Sequence, residues 1–362
     1  MNKMSRSKKI KQKGLELGFS KVGITNADDF TEYASELLSR ADYDLWIKTK
    51  RGAYLGQGAY PRSFFPEAQS IVCAVYSFAD IQFPEKLERH VGRAYLSRAY
   101  VPLEDSACGI RVTEFARYLT ALGCNIYKGD ISIPDRMACA RADVITYGKN
   151  NFAYTKEDGS FIILNTFLID MELEYDTPSI ECNCPPDCHA CIDACPTQAI
   201  IAPGRLHPQN CLLYNHVLRG PFPEEIRQAT GSYIHGCDVC QKVCPRNRKV
   251  LVSASRKDRF LEELKENFDL EEILLMDEEY YQSVVHPIMY NYIRDTDIFR
   301  RNAAIALGNS GDPAHLQALE QASRHPNESV QEAARWAIGR LKKAQEKQDL
   351  SNNPVLDEVE AV

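Results

Sequence analysis

The chain has 362 residues, a formal charge of −7 and a pI near 5.7. That acidity excludes a protein whose whole surface is a nucleic-acid footprint, and no apolar run approaches the roughly 20 residues of a membrane span. The basic start lacks the apolar core of an export signal, so the 13 cysteines read as thiols kept reduced in the cytoplasm and available for metal.

Residues 1–13 read as an amphipathic first helix, and 17–25 (LGFSKVGIT) as a helix end, a Gly stop and a strand. The β-branched and aromatic run at 69–78 (QSIVCAVYSF) suits a buried strand. Phe115, Leu119 and Leu122 predict a helix over 112–122, which Gly123 stops before a strand over 124–127. Another strand follows at 161–169, and together these elements make an α/β domain over 1–178. Cys73, Cys124 and Cys139 lie on apolar stretches and read as packed thiols, with Cys108 undecided. Trp46 and Trp336 read as packing residues. Residues 129–151 hold Asp130, Arg141 and the turn Gly148-Lys149-Asn150, which is either a surface turn or a cradle of N–H groups and a cation.

Composition then shifts to Cys and Pro over 179–251. Cys188, Cys191 and Cys195-Pro196 form one C-x2-C-x3-C-P run, and Cys237, Cys240 and Cys244-Pro245 form a second. Matched runs of this kind mark two [4Fe–4S] clusters held as in bacterial ferredoxins, where the Cys before each Pro serves the other cluster. A pair of zinc sites is the alternative, but zinc knuckles lack the C-P ending. Crossed pairing assigns Cys184, Cys188, Cys191 and Cys244 to cluster one, and Cys195, Cys211, Cys237 and Cys240 to cluster two. Pro185 stands where the usual spacing puts a ligand, so Cys182 competes with Cys184. His216 and His235 flank ligands, as cofactor partners or polar core residues.

Past 252 the chain reads as helical. The similar segments 300–308 (RRNAAIALG) and 330–339 (VQEAARWAIG) lie roughly 30 residues apart, which suggests HEAT-like helix pairs over 252–345, or a plain bundle. Arg300, Arg301, Arg324, Arg335, Arg340, Lys342 and Lys343 are candidates for a basic face or a solvated helix surface. Residues 346–362 read as a disordered tail. The fold class is α+β.

Taken in order, LGFSKVGIT, RAYLSRAY, the 130–150 block, GSFIILNTFLIDMELEYD, CIDACPTQAI, GCDVCQKVCPRN and RRNAAIALGN resemble the epoxyqueuosine reductases over most of the chain. The resemblance implies a cobalamin between the α/β domain and the ferredoxin-like module. It also implies electrons passing from an external low-potential donor through the clusters, and a tRNA substrate. It places Asp130, with Pro134, as proton donor, and Asp135 competes because one extra residue precedes Pro134. Arg93, Asp130, Gly148, Lys149, Asn150 and Asp238 fall at corrinoid-contacting positions. The chain departs where the family reads R-D-Y-H and this sequence has Arg98-Ala99-Tyr100-Val101. It departs again at Ala142-Asp143-Val144-Ile145-Thr146-Tyr147. The alternatives are the same machinery acting on a small molecule, as in the related reductive dehalogenases, or a corrinoid-reducing electron-transfer partner. The expected protein is a monomer with no membrane contact.

Overall fold

A computed structural model describes residues 3–40, 50–178, 184–289 and 295–352. Trp46, Cys182 and residues 353–362 lie outside the described residues. Among the described residues no helix is long and apolar enough to cross a membrane.

The first helix, Lys3–Glu16, buries Ser7, Ile10 and Gly14 on one face. Gly18 then takes a left-handed φ of 90°, as the Gly stop required, and the strand Lys21–Asn26 follows. This strand and Ile162–Ile169 flank the central strand Ser70–Ser77, and both pairings are antiparallel. The sheet therefore differs from the parallel kind built on βαβ crossovers. Val72, Ala74 and Tyr76 enter one apolar core while Ile71, Cys73 and Val75 enter a second. Burial on both faces is why this strand reads as a continuous apolar run.

The helix Ala107–Ala121 starts earlier than its apolar spacing indicates, because Ser106 caps it by accepting the Gly109 N–H at 3.0 Å. The strand expected over 124–127 is reduced to one bridge, Ile126 to Ile169. Asp170 takes the Asn125 backbone and side-chain N–H groups in place of a ladder. The helix Asp135–Arg141 packs close on the sheet: a Cβ at Gly23 would come within 2.1 Å of the Ala142 carbonyl oxygen. Cys73, Cys108, Cys124 and Cys139 are all buried, and Trp336 packs against the core.

The C-terminal part stacks Thr296–Ser310, Leu316–Ala322 and Glu328–Asn352. The first and last meet closely at Gly308, where a Cβ would come within 2.6 Å of the Ala337 Cβ. The last helix continues through 346–352, which corrects the reading of a disordered tail there. Arg301 is also corrected: it is 1% exposed and belongs to no surface face. A short parallel pair, Ile81–Gln82 with Arg256–Lys257, ties the chain beyond the cysteine module back to the sheet domain.

Candidate redox site

Each cysteine run wraps a one-turn helix, Ala190–Asp193 in the first and Val239–Lys242 in the second, and the two turns touch. Burial pushes the Cys191 thiol up, and Cys244, Cys188 and Cys184 add to the shift as like-charged neighbours. Burial likewise raises Cys237 to about 12 and Cys240 well above its ordinary value, with Cys211 and Cys195 acting on both. Cys184, Cys188 and Cys244 thus lie near Cys191, and Cys195 and Cys211 lie near Cys237 and Cys240. Cys191 also acts on Cys240, so the sets stand side by side. Among the described residues no three His, Cys, Asp or Glu side chains are set to hold a single metal ion. Buried thiols ionise only against a compensating positive charge, which the irons of a cluster provide.

Backbone amides and side chains both reach the sulfurs. Cys195 accepts the Ala199 N–H at 3.2 Å, Cys211 accepts from the Leu213 and Tyr214 amides, and Cys237 from Val239. Cys184 instead lies 3.8 Å from Arg246 Nη1, and Cys244 is within hydrogen-bond reach of the Tyr154 hydroxyl. Sequence reasoning missed Tyr154 and Arg246. The only available signal was that Arg246 stands two residues past a ligand.

The turn Gly148-Lys149-Asn150 lies against this module. Lys149 Nζ donates to the carbonyls of Pro185, Pro186 and Cys188 at 2.9, 2.6 and 3.0 Å. Asn150 Nδ2 donates to the Tyr154 hydroxyl at 2.9 Å and to the Cys240 carbonyl at 3.1 Å. Gly148 leaves room for the Tyr154 ring, since a Cβ there would sit 2.4 Å from it. Asp238 is buried, and burial lifts its carboxyl to about 6 although it accepts the Arg93 backbone N–H at 2.7 Å. The Arg93 guanidinium pairs with Glu88 at 2.9 Å and lies 5.0 Å from the Phe161 ring centre.

Asp130 is exposed on the segment before the helix Asp135–Arg141. Asp135 accepts the Thr166 hydroxyl at 2.6 Å, and burial raises its carboxyl. His216 and His235 are fully buried and burial holds both near 3, so both are neutral core residues. At the departing segment, Arg98 and Val101 take left-handed φ values of 53° and 48°. A β-branched residue there is rare and strained. Arg98 lines a cavity of about 620 Å³ with Tyr76, Arg111, Asp158 and Arg256, and none of the predicted site residues lines it.

Two thiol sets beside a sheet domain and a helical C-terminal part define an iron–sulfur oxidoreductase. A 4Fe-4S double cluster binding domain matches residues 183–247, and HEAT repeats match 291–355. The epoxyqueuosine reductase of Escherichia coli (strain K12) is 30% identical over 344 residues, covering 92% of this chain and 88% of that protein. The enzyme of Salmonella typhimurium is 31% identical over 343 residues, covering 91% and 86%. A crystal structure of epoxyqueuosine reductase with an epoxyqueuosine-modified tRNA-Tyr stem loop has the same fold. Its TM-score is 0.80 at 23% identity, covering 98% of this chain and 95% of that one. The chain belongs to the epoxyqueuosine reductase family.

Proposed function

We propose that this chain reduces epoxyqueuosine in tRNA to queuosine, taking electrons from an external low-potential donor through two [4Fe–4S] clusters. The observation that carries this reading is a 4Fe-4S double-cluster module whose thiols lie close together, within a chain of this family. Cluster one takes Cys184, Cys188, Cys191 and Cys244, and cluster two takes Cys195, Cys211, Cys237 and Cys240. Cys184 is preferred to Cys182 because it falls within the matched span 183–247. When bound, the clusters supply one-electron reduction. Loss of an epoxide oxygen as water takes two electrons and two protons, a demand that two one-electron centres meet. The chain's own residues hold the thiols out of water and fix the loops that carry them, as Lys149 does for Pro185 to Cys188. The proposed division of labour follows the boundaries 1–178, 179–251 and 252–345.

A corrinoid belongs to the proposal through family membership. Lys149 spends its three protons on protein carbonyls, while Arg93 Nη1 and the remaining acceptor positions of Asp238 would be available to hold it. No step is assigned through that group. Asp130 is the proposed proton donor, because it is exposed where a nucleotide can reach it.

The test is anaerobic turnover of epoxyqueuosine-containing tRNA, with and without added cobalamin, alongside iron and cobalt analysis. Conversion by the wild type and a loss of at least about tenfold in Asp130→Asn, about 1.4 kcal/mol in the barrier, are expected. Absent conversion by protein loaded with both metals would refute the substrate. Full activity in Asp130→Asn with loss in Asp135→Asn would move the proton donor to Asp135.

A further inference from the structure

Two side chains, one aromatic and one cationic, stand beside sulfurs of cluster one. Cluster two's sulfurs meet backbone amides of Ala199, Leu213, Tyr214 and Val239, and Cys195 also lies 3.8 Å from the Thr197 hydroxyl. Cluster one's Cys184 and Cys244 meet two side chains, Arg246 and Tyr154.

The hydrogens around Tyr154 can be assigned one by one. Ser160 Oγ accepts the Gln241 amide at 2.8 Å and the Asn247 amide at 2.8 Å. Its own proton is then left to donate onward, and Ser160 is a hydrogen-bond partner of Tyr154. The Tyr154 oxygen also accepts from Asn150 Nδ2 at 2.9 Å. The phenol keeps one proton to give, and Cys244 is the sulfur beside it. Tyr154 is fully buried, so the bond is shielded from water. Arg246 Cζ lies over the same ring, 4.0 Å from its centre, held by a 3.1 Å bond to the Tyr147 carbonyl, with Nη1 3.8 Å from Cys184.

We propose that Tyr154 and Arg246 set the reduction potential of cluster one without setting that of cluster two. This inference rests on the two-cluster reading above. A donor to a thiolate stabilises the extra negative charge of the reduced cluster, so each bond raises the potential. Both residues act as positioning and tuning groups, through the sulfurs they bond.

The test is a redox titration of the anaerobic, cluster-loaded full chain followed by electron paramagnetic resonance. Wild type is compared with Tyr154→Phe, Arg246→Gln, Arg246→Lys and, as a control, the exposed Arg248→Gln. Tyr154→Phe and Arg246→Gln should each make one midpoint more negative, by about tenfold in the one-electron equilibrium or about 59 mV, and leave the other in place. Arg246→Lys should recover part of the shift, and Arg248→Gln should move neither midpoint. Unchanged midpoints in both variants, or equal movement of both clusters, would overturn the inference. If Tyr154→Phe loses iron, the Arg246 pair decides. A wild type without two reducible clusters would instead refute the proposed function.

Discussion

Replacing Arg301 with Met tests how the helical C-terminal part is fastened to the cysteine module. Arg301 is 1% exposed and donates to the carbonyls of Leu218 at 2.7 Å, Gly220 at 2.5 Å and Asn215 at 2.9 Å. It also donates to Asn302 Oδ1 and lies over the Phe222 ring. Burial lowers its pKa to about 10, which leaves it charged at neutral pH. Hydrogen bonds to a charged group contribute about 1.5–3 kcal/mol each, so three carbonyl bonds at the low end total about 4.5 kcal/mol. Part of that returns, because the variant has no charge to desolvate, and a net loss of about 3 kcal/mol is expected. The carbonyls in question belong to the helix Leu212–Val217, which begins next to Cys211, and to its exit. Loosening them should release iron from cluster two first. Urea unfolding followed by circular dichroism, with iron release measured in parallel, reads both effects. A loss below about 1 kcal/mol would show that the bonds only offset the desolvation of the guanidinium, and the reasoning would fail.

Cys184→Ser should lose about half of the bound iron while Cys182→Ser retains it, because Cys184 falls within the matched double-cluster span 183–247 and Cys182 outside it; the reverse pattern in iron analysis would reassign the ligand. Burial holds the His216 imidazole near 3 when folded, against about 6.5 when unfolded. Its contribution is therefore complete above the unfolded value and is lost as pH falls towards 3, at about 1.4 kcal/mol per unit. His216→Gln should flatten the loss of stability between about pH 6 and 4, and an unchanged slope in acid unfolding would count against this. Gly148→Ala puts a methyl 2.4 Å from the Tyr154 ring and 2.6 Å from Asn150 Oδ1. A cost of about 1–3 kcal/mol and weaker iron retention are expected, and thermal melting with iron analysis would expose a neutral outcome.

The cysteine spacing was the legible part, because ligands that share one cube must lie within a few residues of each other or at the ends of matched loops. The double-cluster module over the two matched runs follows from that constraint. The central strand was also legible, although its antiparallel neighbours were not: an apolar run records burial on both faces but carries no direction. Arg301 shows the opposite case. A cation on a helix reads as solvated, and its acceptors are carbonyls on a segment more than 80 residues upstream. Nothing local marks them. The helical continuation over 346–352 was missed because the acidic, Pro-containing end dominated the reading, while Glu, Lys, Gln and Leu are good helix formers.

The Gly148-Lys149-Asn150 turn shows how a local signal can be right about importance and point to a different partner. Read alone, a Gly-Lys turn offers a cation and free amides to a phosphate or cofactor edge. A lysine ammonium has three protons, and Lys149 directs them to three carbonyls on the loop that carries Cys184 and Cys188. Asn150 bonds the Cys240 carbonyl from one set and the hydroxyl that serves Cys244 from the other. One turn of the sheet domain thus fixes parts of both cysteine runs. The boundary between the sheet domain and the module is a change of composition crossed by charge-assisted hydrogen bonds. Movement of the turn would reach both sets of thiols at once, so the turn bears on electron transfer even where it touches no cofactor.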